Sequence, residues 1–159
     1  MDAHVSKPAP LEALAAHFAG MPPVAAIRPA ILGWDDGCLR LQAPLAANVN
    51  DKGCAFGGSL TSLMTIAGWG LVFLRLAEAG LEADIYVADS RVRYLKPVYE
   101  DLRIEARLDA AGVDAGDAAD LPGALRARGR ASVRIEARTV LADGASAAVL
   151  GGRYVAIAR

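Results

Sequence analysis

The sequence predicts an α+β fold in which an antiparallel sheet wraps around one long central helix, with a short helix at the N-terminus. Three observations carry this. Leu60 to Leu74 is almost wholly apolar, and a helix that is apolar nearly all round must be covered on most sides. Further along, Leu102, Ile104, Ala106 and Leu108 alternate with Arg103, Glu105 and Arg107, giving a strand with one buried and one wet face. No strand–helix–strand alternation and no internal repeat break this order, so nothing supplies the crossovers of a parallel sheet.

The elements follow in sequence. A helix is expected from about Pro10, because Leu11, Leu14, Ala15 and Phe18 share one face; Gly20 and Pro22-Pro23 are read as ending it. Two strands, Val24 to Trp34 and Cys38 to Ala43, are joined at Asp35-Asp36-Gly37, a sequence suited to a tight hairpin. The long helix follows a glycine-rich loop and ends near Gly80. Asp84 to Leu95, rich in Val, Ile and Tyr, is a strand broken by Pro97. After Leu102–Leu108, the stretch Ala110 to Gly123 reads as a loop with a mobile tip. Leu125 to Leu141 reads as a strand with Val133 and Ile135 inside and Arg130, Arg134 and Arg138 outside. Ala142-Asp143-Gly144 turns the chain into a last strand, Ala147 to Ala156, where Gly151-Gly152 suggests a bulge.

The 159 residues fit a single domain spanning 1–159, with an N-terminal arm and helix over 1–20 and a core over 24–157. A formal net charge of -1 gives no overall case for nucleic acid or an anionic membrane. Leu60–Leu74 covers only about 22 Å as a helix against roughly 30 Å of hydrocarbon, so no membrane span is expected. Two cysteines, Cys38 and Cys54, form no disulfide framework, and the N-terminus lacks the pattern of a secretory signal. The expected location is therefore cytoplasmic.

Candidate chemistry concentrates in Asn48-Val49-Asn50-Asp51-Lys52-Gly53-Cys54-Ala55-Phe56-Gly57-Gly58-Ser59-Leu60, which runs into the long helix. A helix start carries N–H groups without intrahelical partners and a partial positive charge. Gly57 and Gly58 would let a ligand approach those groups closely. Gly58, Ser62, Thr65 and Trp69 recur on one side of the helix. Such a stripe either packs tightly, with hydroxyls bonded back to the preceding turn, or lines a pocket. Asn48, Asn50 and Asp51 are equally readable as loop-forming residues or as site residues. Cys54 lacks a nearby histidine, because His4 and His17 both belong to the N-terminal arm, and neither a metal nor a phosphate-loop spacing occurs. Arg126, Arg128, Arg130, Arg134 and Arg138 are expected on one strand face. Arg93 and Lys96 are better candidates for meeting the phosphates of a ligand.

Taken together, Asn48 to Gly53, Phe56-Gly57-Gly58-Ser59-Leu60, Gly68-Trp69-Gly70-Leu71 and Tyr94-Leu95-Lys96-Pro97-Val98 resemble the thioesterase family with a hotdog fold. The resemblance is to the branch found as the C-terminal domain of YiiD-type proteins, some of which carry an acetyltransferase domain in front. It spans roughly Ala43 to Asp101. It implies a homodimer or homotetramer that binds acyl-CoA or acyl-carrier-protein thioesters at a dimer interface, with no cofactor beyond the CoA moiety of the substrate.

The wider phenylacetyl-CoA-type thioesterases carry Asn-x-x-Gly-x-x-His-Gly-Gly and an acidic residue nine positions after the His. Asn50, Gly53, Gly57 and Gly58 match that frame, whereas Phe56 stands at the His position and Thr65 at the acidic one. The roles implied are Gly57, with Gly58, as oxyanion donor, Asn50 orienting the carbonyl or water, Thr65 positioning the water, and Asp51 or a residue from the partner subunit as candidate base. Asn48, Gly53, Phe56, Gly58, Ser59, Ser62, Trp69, Arg93 and Lys96 would contact substrate. The missing His and acid keep a second expectation open, a hotdog module that binds acyl thioesters or serves assembly without turnover.

Overall fold

A computed structural model describes residues 9–110 and 115–159. The N-terminal segment up to Lys7, read above as lacking a signal sequence, and the expected mobile tip of the Ala110–Gly123 loop fall largely outside the described residues.

The chain forms α1 (Pro10–Gly20), α2 (Pro22–Ile27), β1 (Ala30–Asp35), β2 (Cys38–Ala43), α3 (Gly57–Glu78), β3 (Ala83–Tyr94), β4 (Leu102–Leu108), α4 (Leu121–Arg128), β5 (Arg130–Val140) and β6 (Ser146–Ala158). All six strands make one antiparallel sheet in the order β1-β2-β4-β5-β6-β3. α3 packs against β2 to β6, and Leu63, Met64, Ala67, Leu71, Val72 and Leu74 are fully buried there. This is the hotdog arrangement. By length and apolarity α3 could cross a membrane, but 61% of its most apolar window is buried within the protein, as the core of the sheet requires.

Local chemistry explains the boundaries. Asp36 (φ 46) and Gly37 (φ 70) both take the left-handed region, the two-residue hairpin geometry that matches strand twist, and Asp35 pairs with Cys38. The expected strand Val24–Trp34 is instead split. Pro22 and Pro23 occupy the first turn of α2, where their fixed φ suits a helix and their missing N–H costs nothing. Arg28, at φ 59, closes that helix, and β1 starts only at Ala30.

A second correction concerns Leu125–Leu141. Its first part is α4, whose start is capped by the Asp120 carboxylate accepting from the Gly123 N–H at 2.9 Å. Arg126 and Arg128 therefore lie on a helix, not on a strand face. A third concerns the bulge: Gly151 and Gly152 pair regularly with Arg91 and Ser90, and the extra residue is Ala88 on β3, between Val87 and Asp89. Gly152 is small because a Cβ there would press on Tyr154, Leu150 and the Asp89 carbonyl at 3.2–3.3 Å.

Arg134, Arg138 and Arg153 are paired with carboxylates on the outer face of the sheet. Arg138 pairs with Glu105 at 3.0 Å, while Arg134 (3.7 Å) and Arg153 (3.0 Å) flank Asp89. The ladder is thus solvated charge, as its alternation with buried Val133 and Ile135 requires.

Gly68 fixes how closely α3 meets β6. A Cβ there would fall on the hydroxyl of Tyr154, which is fully buried and donates to the Thr65 carbonyl at 2.8 Å. Gly68→Ala should cost about 2–3 kcal/mol in urea denaturation through overpacking and loss of that bond. Adding Tyr154→Phe, which removes the obstructing oxygen, should make the double variant less unstable than the two single effects combined.

Candidate active site

The loop before α3 is held by its own amides. Asn48 is 3% exposed and donates from Nδ2 to the Pro44 carbonyl (2.8 Å) and the Ile27 carbonyl (2.9 Å). Its backbone carbonyl accepts from the Phe56 N–H at 2.7 Å. Asn48 thus points inward as a latch, lining none of the described clefts. Asn50 organises the next turn, its Oδ1 accepting from the Lys52 N–H (2.8 Å) and the Cys54 N–H (3.2 Å). Gly53, at φ 81, is needed where the chain reverses. Ala55 N–H donates to the Val98 carbonyl at 2.8 Å, which ties the loop to the segment after β3.

This clamp sets Phe56 at φ -63, ψ 129, an extended residue immediately before a helix. No side chain caps that helix, and its first backbone bond runs from the Leu60 N–H to the Phe56 carbonyl. The N–H groups of Gly57, Gly58 and Ser59 precede it and find no acceptor among the described residues. Beside them lies an open cleft of about 250 Å³ lined by Ala55, Gly57, Leu60, Tyr94, Lys96 and Val98. The Tyr94 hydroxyl meets the Thr61 hydroxyl and donates to the Gly57 carbonyl at 3.4 Å. Phe56 is 56% exposed, and its ring lies across Gly58 where a Cβ would otherwise sit.

Some residues named from sequence are brought together here and others are not. Gly57 and Lys96 line the cleft at the helix start together, followed along α3 by exposed Gly58 and half-buried Ser59. Gly58 and Ser62 are exposed and Thr65 and Trp69 half-buried, so the stripe faces outward, away from the sheet-covered side of α3. Arg93 and Lys96 are exposed and make no ion pair among the described residues. Asp51 stands apart: its side chain is 81% exposed, it pairs with Lys52 at 2.8 Å, and it lines neither cleft. Cys54 is buried and lies 3.2 Å from Asn50 Nδ2, and burial pushes the other free thiol, Cys38, up.

Two features were not anticipated. Tyr94 belongs to the Tyr-Leu-Lys-Pro-Val run, but only the fold brings it over Gly57. His17 packs edge-on against Phe73 (4.9 Å between ring centres) and Trp69 (5.6 Å), far along α3 from the loop. Phe73 lies four residues after Trp69, so its place beside that ring was readable from helical spacing.

The family model described as "Putative thioesterase (yiiD_Cterm)" matches residues 14–158. A Shewanella oneidensis protein described as a "putative thioesterase" is 30% identical, with a TM-score of 0.80 over 93% of this chain and 97% of that one. A protein of unknown function from Chlorobaculum tepidum is 25% identical at a TM-score of 0.81, covering 93% and 94% of the two chains. At 24% identity, a Pseudomonas aeruginosa protein termed a probable thioesterase shares the fold, with a TM-score of 0.76 over 96% and 98%. With the family model matched over residues 14–158 and a 30% identical relative covered over nearly its whole length, the chain belongs to the YiiD C-terminal thioesterase family.

Proposed function

We propose that this protein hydrolyses acyl-CoA or acyl-carrier-protein thioesters in the cytoplasm, at a site shared by two copies of the chain. The observation that carries the reading is the uncapped start of α3 opening onto a cleft. A thioester carbonyl set there would meet the Gly57 N–H, with that of Gly58 beside it, and charge developing on its oxygen would be stabilised by fixed dipoles. Lys96 and Arg93, exposed cations at the end of β3, suit the phosphates of CoA or of a phosphopantetheine arm. Asn50 acts as a positioning residue, holding the turn from which the helix begins.

Support for the second copy comes from the character of β3. It is an edge strand of 12 residues with Tyr86 (55%), Val87 (38%) and Tyr94 (57%) exposed, a surface that proteins seldom leave uncovered. Two copies paired antiparallel along β3 would bury those side chains and set their α3 helices side by side in opposite directions. Thr65 of one copy would then approach the helix start of the other and hold the attacking water. Val87→Asp should convert a particle of twice the chain mass into one of single mass by light scattering, and hydrolysis should fall with it.

In this reaction the water oxygen attacks the carbonyl carbon, the C–S bond breaks, and the thiol leaves with a proton. Neither Phe56 nor Thr65 ionises to take the water's proton, and Asp51 is exposed and paired. The proton therefore passes to solvent. Turnover should be slow and should climb with pH. Assaying acyl-CoA hydrolysis in the parent, Asn50→Ala and Thr65→Ala tests the reading, with both variants slower than the parent. Equal rates in all three would remove it.

The same departures favour one rival, an acyl-thioester binding module without turnover. Phe56, at the position of the histidine in the phenylacetyl-CoA-type pattern, lies with its ring over Gly58, and this is the specific observation behind it. Acyl-CoA binding by calorimetry with no thiol release would select that reading.

A further inference from the structure

A second, larger cavity of about 470 Å³ opens at the other end of α3, between α1, α3 and the beginning of β3. Its volume falls within the roughly 300–1,000 Å³ usual for small-molecule sites. Ala13 and His17 of α1, Trp69 and Phe73 of α3, and Ala83 and Ile85 of β3 form its walls. Trp69 and Phe73 stack at 13° with ring centres 5.6 Å apart, and His17 closes on both edge-first. The indole is held in place by its N–H, which donates to the Ile85 carbonyl at 3.2 Å. The charged groups at the cavity, Glu82 and Arg159, come from the chain segments at its border, and Arg159 pairs with Asp84 at 2.9 Å. The walls are therefore largely aromatic and aliphatic, with charge confined to the border, which suits an occupant that is apolar along its length.

Trp69 relates this cavity to the helix face that carries the proposed site. That residue ends the outward stripe Gly58, Ser62, Thr65, and it also forms the cavity wall. Along one chain, Gly57 and Trp69 are separated by about 18 Å of helix. Between two copies paired antiparallel along β3 the separation shortens. The Ala83 end of one strand then faces the Tyr94 end of the other, and Tyr94 sits on Gly57. The helix start of one copy is thereby brought toward the cavity of its neighbour.

Resting on the thioesterase reading above, we infer that this cavity receives the tail of a medium-length, unbranched acyl thioester whose carbonyl is held at the helix start of the second copy. Thr65 and Trp69, one turn apart, line the passage between the two. A tail that reaches Trp69 exchanges water for ring faces with each added carbon. Specificity then follows how far the tail extends into the cavity and not the charge of the headgroup.

The test is a chain-length series of acetyl-, butyryl-, octanoyl-, decanoyl- and hexadecanoyl-CoA on the parent dimer, on Ala13→Phe, which fills the cavity, and on Phe73→Ala, which enlarges it. In the parent, kcat/KM should rise about three- to fourfold per methylene from butyryl to octanoyl. Ala13→Phe should lose at least tenfold on octanoyl- and decanoyl-CoA while staying within twofold of the parent on acetyl-CoA. Phe73→Ala should move the optimum to longer tails. A parent profile that begins to rise only at hexadecanoyl-CoA would overturn the route between copies, and identical profiles in all three proteins would overturn the cavity assignment.

A second readout keeps the cavity testable if no acyl-CoA is hydrolysed at all, the outcome that defeats the thioesterase reading instead. In Trp34→Phe, Trp69 is the sole tryptophan. Titration with octanoate and decanoate should shift its emission, and adding Ala13→Phe should abolish the response. No shift with either fatty acid would end the proposal.

Discussion

Replacing Gly57 with proline should lower kcat on acyl-CoA about 10²- to 10³-fold, the usual loss when one oxyanion donor is removed, equivalent to about 2.7–4 kcal/mol of transition-state stabilisation. The substitution isolates the N–H because the rest of the position already accepts proline. Gly57 is the first residue of α3, where proline is favoured and its missing N–H breaks no helical bond. The residue before a proline must be extended, and Phe56 already is, at φ -63, ψ 129. A Cβ at position 57 meets nothing closer than the Tyr94 ring at 3.5 Å. The folded state should hold, and the unfolded chain loses freedom, so stability in urea should be unchanged or raised by up to about 1 kcal/mol. Gly57→Ala, which keeps the N–H, should retain most of the activity. A proline variant that folds and turns over at the parent rate would show that the helix start takes no part in the reaction.

Much of this architecture was legible before any coordinates, and the misses have physical causes. Leu60–Leu74 announced α3 because an apolar surface all round admits few alternatives to burial under a sheet. Asp35-Asp36-Gly37 announced the first hairpin because few residues adopt two successive positive φ values. Pro22-Pro23 misled because proline both ends one helix and begins another, and only the tertiary setting decides between these roles. At α4, Leu121-Pro122-Gly123 has the composition of a loop, although Asp120 is a cap that could have been noticed.

The site divides along similar lines. Backbone donors at a helix start can be located once the helix is located, so Gly57 and Gly58 were accessible from sequence. The direction an asparagine amide faces is not encoded by its identity. Asn48 and Asn50 share a loop and a chemistry, yet one is a buried latch and the other braces the following turn. The aromatic cavity could not be read at all, because α1, which closes it, lies some fifty residues before the α3–β3 stretch that forms its other walls. Trp69 was visible as the end of a helical stripe, whereas its partner His17 was legible only as part of an N-terminal arm.

Thr65→Asp should raise kcat by about 10²-fold or more, within the 10²–10⁴ that a positioned general base typically contributes. The hydroxyl of Thr65 can hold a water but cannot take its proton at neutral pH, whereas a carboxylate of similar size at the same place can. The backbone there is fixed independently of the side chain, since the Thr65 carbonyl accepts from the Tyr154 hydroxyl at 2.8 Å. Thr65 is also only half-buried, so a carboxylate keeps access to solvent and avoids the desolvation cost of a closed core.

The pH profile separates this mechanism from a general improvement. Parent turnover, driven by hydroxide, should climb about tenfold per pH unit through the neutral range. The variant's rate should instead rise as its carboxyl group loses a proton, from an ordinary value of about 3.9, and stay flat from there to mildly alkaline pH. Thr65→Asn, of the same size and unable to accept a proton, is the control and should show neither the gain nor the plateau. If the aspartate and asparagine variants fold alike and turn over alike, Thr65 does not adjoin the attacked carbonyl, and the arrangement of the two helices across β3 must be different from the one proposed.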